Sequence, residues 1–170
     1  GDLMEGVSSE AASLAGHLKL GKLVYLYSDN KVTIEGPTDL TFTEDVKKRF
    51  QAYGWHTEKV GGYDMAAIEQ AIKTAKSEKN RPSLIIARTH LGYGSPKKQD
   101  SPSAHGSPLG MEEIKIMKDN FGFPDGPFHV PPEALKHMRK AVLKGKQLET
   151  KWNSLFERYA KKFPELARLW

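Results

Sequence analysis

An α/β fold, with a mostly parallel sheet flanked by helices, is what this sequence predicts, and three observations carry the prediction. Apolar runs of strand length occur at Lys22–Tyr27, Trp55–Val60 and Pro82–Arg88. Segments with apolar residues at three- and four-residue spacing lie between them. Strands alternating with helices in this way argue for parallel strands covered on both faces. The chain has 170 residues, 38% hydrophobic and 28% charged, which is enough to close one core and suits a globular domain.

The elements follow in order. Glu5 to Lys19 reads as a helix, because Val7, Ala11, Leu14 and Leu18 repeat at helical spacing with small residues between them. Small residues let such a helix sit close to a sheet. Lys22–Tyr27 reads as a buried strand that stops at Asp29-Asn30, after which apolar residues resume at Val32-Thr33-Ile34. A second helix begins at Thr43-Glu-Asp-Val, with Thr43 as its N-cap and acids in its first turn, and ends near Gly54. Trp55–Val60 is an amphipathic strand. Asp64 caps a third helix that carries Ile68, Ala71, Ile72 and Ala75 on one face. Pro82–Arg88 is a further buried strand.

The texture then changes. THLGYGSPKKQDSPSAHGSPLG, from Thr89, holds four Gly, three Pro and four Ser in 22 residues. A loop this long in a compact domain is usually functional or disordered. Met111–Phe121 is the next helix, Gly122–Pro132 a proline-rich crossover, and two helices follow over 132–143 and 146–163. In the last of these Leu148, Trp152, Leu155, Phe156, Tyr159 and Phe163 form one stripe, predicted to pack inward with a basic face outward.

Composition excludes several classes of function. There is no cysteine, so disulfides, zinc-thiolate sites and thiol nucleophiles are ruled out. The longest aliphatic run, Leu84-Ile-Ile-Ala87, is too short for a bilayer, so no membrane is expected. Ten Lys or Arg face three Glu over residues 136–170, although the whole chain is only +5. The aromatic stripe there reads as a solvated amphipathic helix rather than a nucleic-acid surface, so no nucleic acid is expected either. No charged-then-apolar leader is present, and the expected compartment is the cytoplasm, with an organelle left open. The opening Gly-Asp, in place of Met, reads as a fragment or a processed chain.

Two positions invite chemistry. A glycine at the mouth of a helix, Gly1, lets an anion approach backbone N–H groups, and the helix dipole adds to the attraction. Asn30 lies 29 residues on, at the end of the next strand. A phosphate at Gly1 and a hard cation on the Asn30 side-chain oxygen would be neighbours at the carboxyl ends of parallel strands. Magnesium takes oxygen ligands and shares them with phosphates. On these residues alone the turn former is the favoured reading of Asn30, and a solvent-exposed loop histidine that of His105.

LMEG at Leu3–Gly6, SLAGHLKLGKL, FTEDVKKRFQAYGWH, LGYGSP, HGSPLG and WNSLFERYAKKFPELA together resemble the transketolase family, in order and across nearly the whole chain. The fold implied is the thiamine diphosphate-binding fold, truncated at its N-terminus. In this register Gly1 matches the last glycine of the Gly-Asp-Gly cofactor fingerprint. Its metal-binding aspartate would precede residue 1, and Asp2 is not a ligand. Residues 1–121 would be the diphosphate-binding domain. Residues 122–170 would be a linker and helices leading to a pyrimidine-binding domain outside this chain.

The resemblance implies a set of roles. Gly1 would touch the diphosphate. Asn30 would bind metal (Mg2+ or Ca2+) and diphosphate, and the Val32 carbonyl would be a further metal ligand. Ile34 and Leu91 would pack on the thiazolium ring. His105 would reach the diphosphate and the substrate oxygen as a proton shuttle. Glu5 and Glu10, read as lying on one helix face, would join a carboxylate network across a homodimer interface; their plainer reading is a solvated acidic flank. His17, His56, His90, His129 and His137 lack such support and are treated as structural or surface groups. The implied activity is transfer of a two-carbon ketol unit between the sugar phosphates of the pentose phosphate pathway. A dihydroxyacetone synthase-like relative and a non-catalytic fragment are the alternatives, and the chain alone is expected to be inactive.

Overall fold

The computed structural model describes residues 1–170, which divide into two compact units, Gly1–Phe123 and Pro124–Trp170. In the first unit three strands, β1 (Val24–Asp29), β2 (His56–Gly61) and β3 (Ser83–Arg88), form an all-parallel sheet in the order β1-β3-β2. The register sets Asp29, Gly61 and Arg88 level, so all three carboxyl ends open on one edge. The parallel α/β expectation is met.

β3 is the central strand and its side chains alternate between two half-cores. Leu84 and Ile86 face α1 (Gly6–His17) and α2 (Val46–Ala52) through Ala12, Ala15 and Phe50. Ile85 faces α3 (Met65–Ser77) through Ala71 and Ala75. This two-residue alternation is what a strand covered on both sides requires. Small residues do bring α1 close, since a Cβ on Gly16 would stand 1.8 Å from the Tyr53 carbonyl oxygen. Asp64 caps α3 as expected, its Oδ1 accepting from the Ala67 N–H at 2.9 Å.

Five details differ from the sequence expectation. The N-cap of α2 is Asp45 rather than Thr43, its Oδ1 accepting from the Lys48 N–H at 3.1 Å; both residues are good caps, and the shorter helix selects the later one. Of the apolar face on α3, Ala71 and Ala75 turn inward while Ile72 is exposed. β1 is not buried, because it lies at the sheet edge with one neighbour, and Leu26 keeps 57% of its surface. Glu5 stands in extended backbone ahead of α1 and Glu10 within it, so they share no helical face. Residues 132–163 hold one helix, not two.

That helix follows α4 (Met111–Phe121), which closes the first unit. It is α5 (Pro132–Lys162), 31 residues running straight through Gly145. An interior glycine costs about 1 kcal/mol, too little to break a run this long. A short α6 (Pro164–Arg168) follows. The aromatic stripe stacks on itself: Trp152 and Phe156 lie 5.2 Å apart, and Trp170 returns to 5.6 Å from Trp152. Yet Leu155 and Trp152 remain exposed, because a unit of two helices has no third layer to cover them. No helix is long and apolar enough to cross a membrane.

Candidate functional site at the carboxyl edge of the sheet

At the end of β1 the chain makes a tight, self-bonded loop. The Asn30 side-chain Oδ1 accepts from the Val32 N–H at 3.0 Å, an Asx turn that ends the strand. Lys31 sits at φ 64, in the left-handed region, and its Nζ pairs with Asp29 at 2.9 Å. Thr38 N–H donates to the Lys31 carbonyl at 3.0 Å, and Val32 pairs with Pro37 in an isolated antiparallel bridge. Val32 is buried as a result, while Ile34 at the loop tip is exposed. An amide oxygen has two lone pairs, and the turn uses one of them.

The end of β3 is bonded to this loop. Thr89 N–H and Arg88 Nη1 both donate to the Asp29 carbonyl, at 3.3 and 3.0 Å, and the Thr89 and Ser28 hydroxyls are 2.6 Å apart. Leu91 follows two residues later, half-buried. The long loop beyond it folds back on itself: a Cβ on Gly92 would lie 3.6 Å from that of Ala104. That contact sets the short turn Pro102–Ala104, and hence His105, beside the Leu91 segment. His105 itself is exposed, with its N–H on the Pro102 carbonyl at 2.9 Å. The other side of the loop is anchored to α4. Buried Glu113 accepts from the Ser95 hydroxyl and from the Lys97 N–H at 3.1 Å, and these two donors hold its carboxyl below the usual range.

The start of the chain is a closed turn beside α1 and α2. The Gly1 carbonyl accepts from the Met4 N–H at 2.7 Å, closing the turn that leads into α1. Arg49 pins that turn, donating to the Leu3 carbonyl and the Ser9 hydroxyl, each at 3.0 Å. Asp2 and Tyr27 line one apolar cavity of about 330 Å³ between α1 and β1, which Leu3, Leu26, Phe50 and Trp55 also border. None of the residues proposed from sequence borders it. The structure thus brings Asn30, Val32 and Leu91 to one edge, with His105 on the adjoining loop, while Gly1 begins the turn that leads into α1. Ile34, Glu5 and Glu10 stand exposed outside that cluster. Sequence reasoning missed Asp100, which bonds His90 and Leu91, and Arg49; neither has a periodic relation to its partners.

Burial, reinforced by the Asp29 carboxylate that its hydroxyl meets at 3.4 Å, pushes the Tyr27 phenol up to about 12. The folded chain therefore keeps a proton that the unfolded chain loses near the ordinary value of 10. Stability from this group is complete below pH 10 and is lost as pH rises toward 12. An ultraviolet titration should show one phenol ionising late, and Tyr27→Phe should remove that step.

As for metal-binding potential, no group of three or more His, Asp or Glu residues gathers in the chain. What the edge offers is oxygen: one carboxamide and neighbouring carbonyls, a donor set suited to a hard cation shared with a phosphate. The residues present fit that partial role.

Comparison with known proteins gives the family. The family model described as transketolase, thiamine diphosphate binding domain, matches residues 1–170. A transketolase of Aquifex aeolicus is 51% identical over 171 residues, covering 99% of this chain and 24% of its own length. Transketolase 1 of Saccharomyces cerevisiae is 52% identical over 170 residues, covering 98% of this chain and 25% of its own. Among solved structures, Pichia stipitis transketolase complexed with sedoheptulose-7-phosphate superposes with a TM-score of 0.86 at 43% identity, over 98% of this chain and 25% of that one. Campylobacter jejuni transketolase gives a TM-score of 0.87 at 39% identity, over 97% and 26%. The chain spans about a quarter of the length of these relatives. With a parallel sheet whose carboxyl edge carries an Asx turn and a glycine-rich loop, and with identity of this order along all of it, the chain belongs to the transketolase family, within its thiamine diphosphate-binding domain.

Proposed function

We propose that Asn30 and Val32 hold a divalent cation, Mg2+ or Ca2+, and with it the diphosphate of thiamine diphosphate, in an enzyme that transfers a two-carbon ketol unit between sugar phosphates. The supporting observation is the loop at Asn30. Its Asx turn and the left-handed Lys31 fix a carboxamide and a buried residue just past Asp29, which is level with Arg88 at the end of the neighbouring strand. Bound there, thiamine diphosphate supplies the covalent chemistry of ketol transfer. The chain's own residues do the rest: backbone at Gly1 meets the diphosphate, Ile34 and Leu91 present apolar surface to the thiazolium ring, and His105 moves a proton at the substrate oxygen. The Pichia stipitis relatives were solved with fructose-6-phosphate and sedoheptulose-7-phosphate, which supports sugar phosphates as the substrate class.

Glu5 and Glu10 are exposed on and ahead of α1, where a second subunit could complete a carboxylate network, so a homodimer belongs to this reading. A place in the pentose phosphate pathway and a cytoplasmic location complete it. The test is Asn30→Ala in the assembled apoenzyme. Losing a shared ligand should weaken magnesium and thiamine diphosphate binding together, by about tenfold or more. Calorimetry that finds both affinities unchanged would refute the assignment.

A further inference from the structure

The segment between β3 and Asp100 contains a closed hydrogen-bonded neck, of which the proposed chemistry uses only the Leu91 side chain. The His90 N–H donates to the Tyr63 hydroxyl at 2.9 Å, and that hydroxyl donates to the His90 carbonyl at 3.3 Å. The Leu91 N–H donates to Asp100 Oδ1 at 3.1 Å, and the Asp100 N–H donates to the Leu91 carbonyl at 2.8 Å. Both backbone groups of both residues are therefore committed. The second carboxylate oxygen, Asp100 Oδ2, takes the His90 Nδ1 at 2.7 Å. Around this neck Tyr63 stacks on Tyr93 at 4.0 Å, and Tyr93 on Phe121 of α4 at 5.7 Å.

Asp100 stands at φ 57, the left-handed region, which glycine adopts without strain and aspartate only at a modest cost that local side-chain hydrogen bonds offset. Both partners are about one-third exposed, and an ion pair so placed contributes little to global stability. Its carboxyl is nonetheless held below the ordinary range, because the His90 and Leu91 hydrogen bonds outweigh the desolvation that acts the other way. The strain is thus set against local order at Leu91, not against the fold as a whole.

We propose that Asp100 is a positioning residue, whose carboxylate ties His90 to Leu91 and fixes the place where Leu91 meets the thiazolium ring. This rests on the role given to Leu91 above. It assigns to Asp100 no contact with cofactor or substrate; its influence passes through one backbone N–H and one imidazole.

The experiment uses the assembled apoenzyme, with thiamine diphosphate affinity measured by calorimetry in excess magnesium and melting followed in parallel. Asp100→Gly relieves the strained φ and removes both acceptors; it should leave the melting temperature near that of the parent and weaken the cofactor about tenfold. Asp100→Asn keeps the turn and an acceptor for the Leu91 N–H, and should stay within about threefold of the parent. In a Leu91→Ala background, Asp100→Gly should add less than about twofold, because the two act as one unit. Equal affinity of Asp100→Gly and parent overturns the proposal. So does a full additional loss in the Leu91→Ala background, since Asp100 would then act elsewhere. Should Asp100→Gly fail to accumulate, His90→Phe keeps the stacking and removes the ring nitrogen, and unchanged affinity in that variant overturns the proposal as well. If Leu91→Ala alone leaves affinity unchanged, the cofactor reading falls and this inference with it. If Leu91→Ala weakens binding while Asp100→Gly does not, only the inference falls.

Discussion

His105→Ala in the assembled enzyme is expected to lower turnover by roughly 10²–10⁴-fold, the range for removing a group that moves a proton in the transition state. The same variant should melt where the parent does. His105 is exposed, at the end of a short turn, and its backbone N–H donates to the Pro102 carbonyl. Alanine keeps that bond and leaves no cavity. Steady-state kinetics beside a melting curve separate the two effects. A collapse of melting temperature with normal turnover per folded molecule would make the histidine structural and would remove the only proton carrier this reading gives the chain.

Trp55→Ala should act in the opposite way, on stability first. Trp55 is 4% exposed and packs edge-on against Phe50 at 5.1 Å, while its indole N–H donates to the Ala12 carbonyl at 2.8 Å. It joins α1, α2 and the sheet in a single cluster. Burying a cavity of that size costs about 3–5 kcal/mol in comparable cores. Because the cluster also supports Leu3, through which Arg49 pins the turn after Gly1, cofactor affinity should fall after the melting temperature does. Trp55→Phe should lose less, about 0.5–1.5 kcal/mol, chiefly through the lost indole hydrogen bond, since the Ala12 carbonyl lies within α1 and keeps its place in the helical ladder. Denaturant unfolding measures both, and a loss below about 1 kcal/mol for Trp55→Ala would mean the cluster does not hold the unit together.

The sheet was readable from pattern because β3 is apolar on both faces and α3 opens on an unambiguous cap. Asn30 was readable as a strand end, and its Asx turn is what the structure shows there; the ligand role came only as an expectation from the family's sequence context. What covers a surface was not readable. Tyr25 and Leu26 are apolar in sequence whether or not a neighbour lies beyond β1, and the stripe from Leu148 to Phe163 has helical spacing whether or not another layer meets it. The helices expected over 132–143 and 146–163 are one, since the interior Gly145 costs about 1 kcal/mol and does not interrupt 31 residues. Contacts such as Asp100 with His90, or Arg49 with Leu3, join residues without periodicity in loops and turns, so only the folded backbone reveals them.

A crystal structure of the complete enzyme with thiamine diphosphate and magnesium would show the loop at Asn30 at work. The Asn30 carboxamide oxygen and the Val32 carbonyl oxygen are expected at about 2.1 Å from the cation, with the diphosphate completing its oxygen shell. Leu91 is expected in contact with the thiazolium ring. A cation held elsewhere, with the Asn30 side chain still closed on the Val32 N–H and the diphosphate distant from this edge, would contradict the role proposed for Asn30 and Val32.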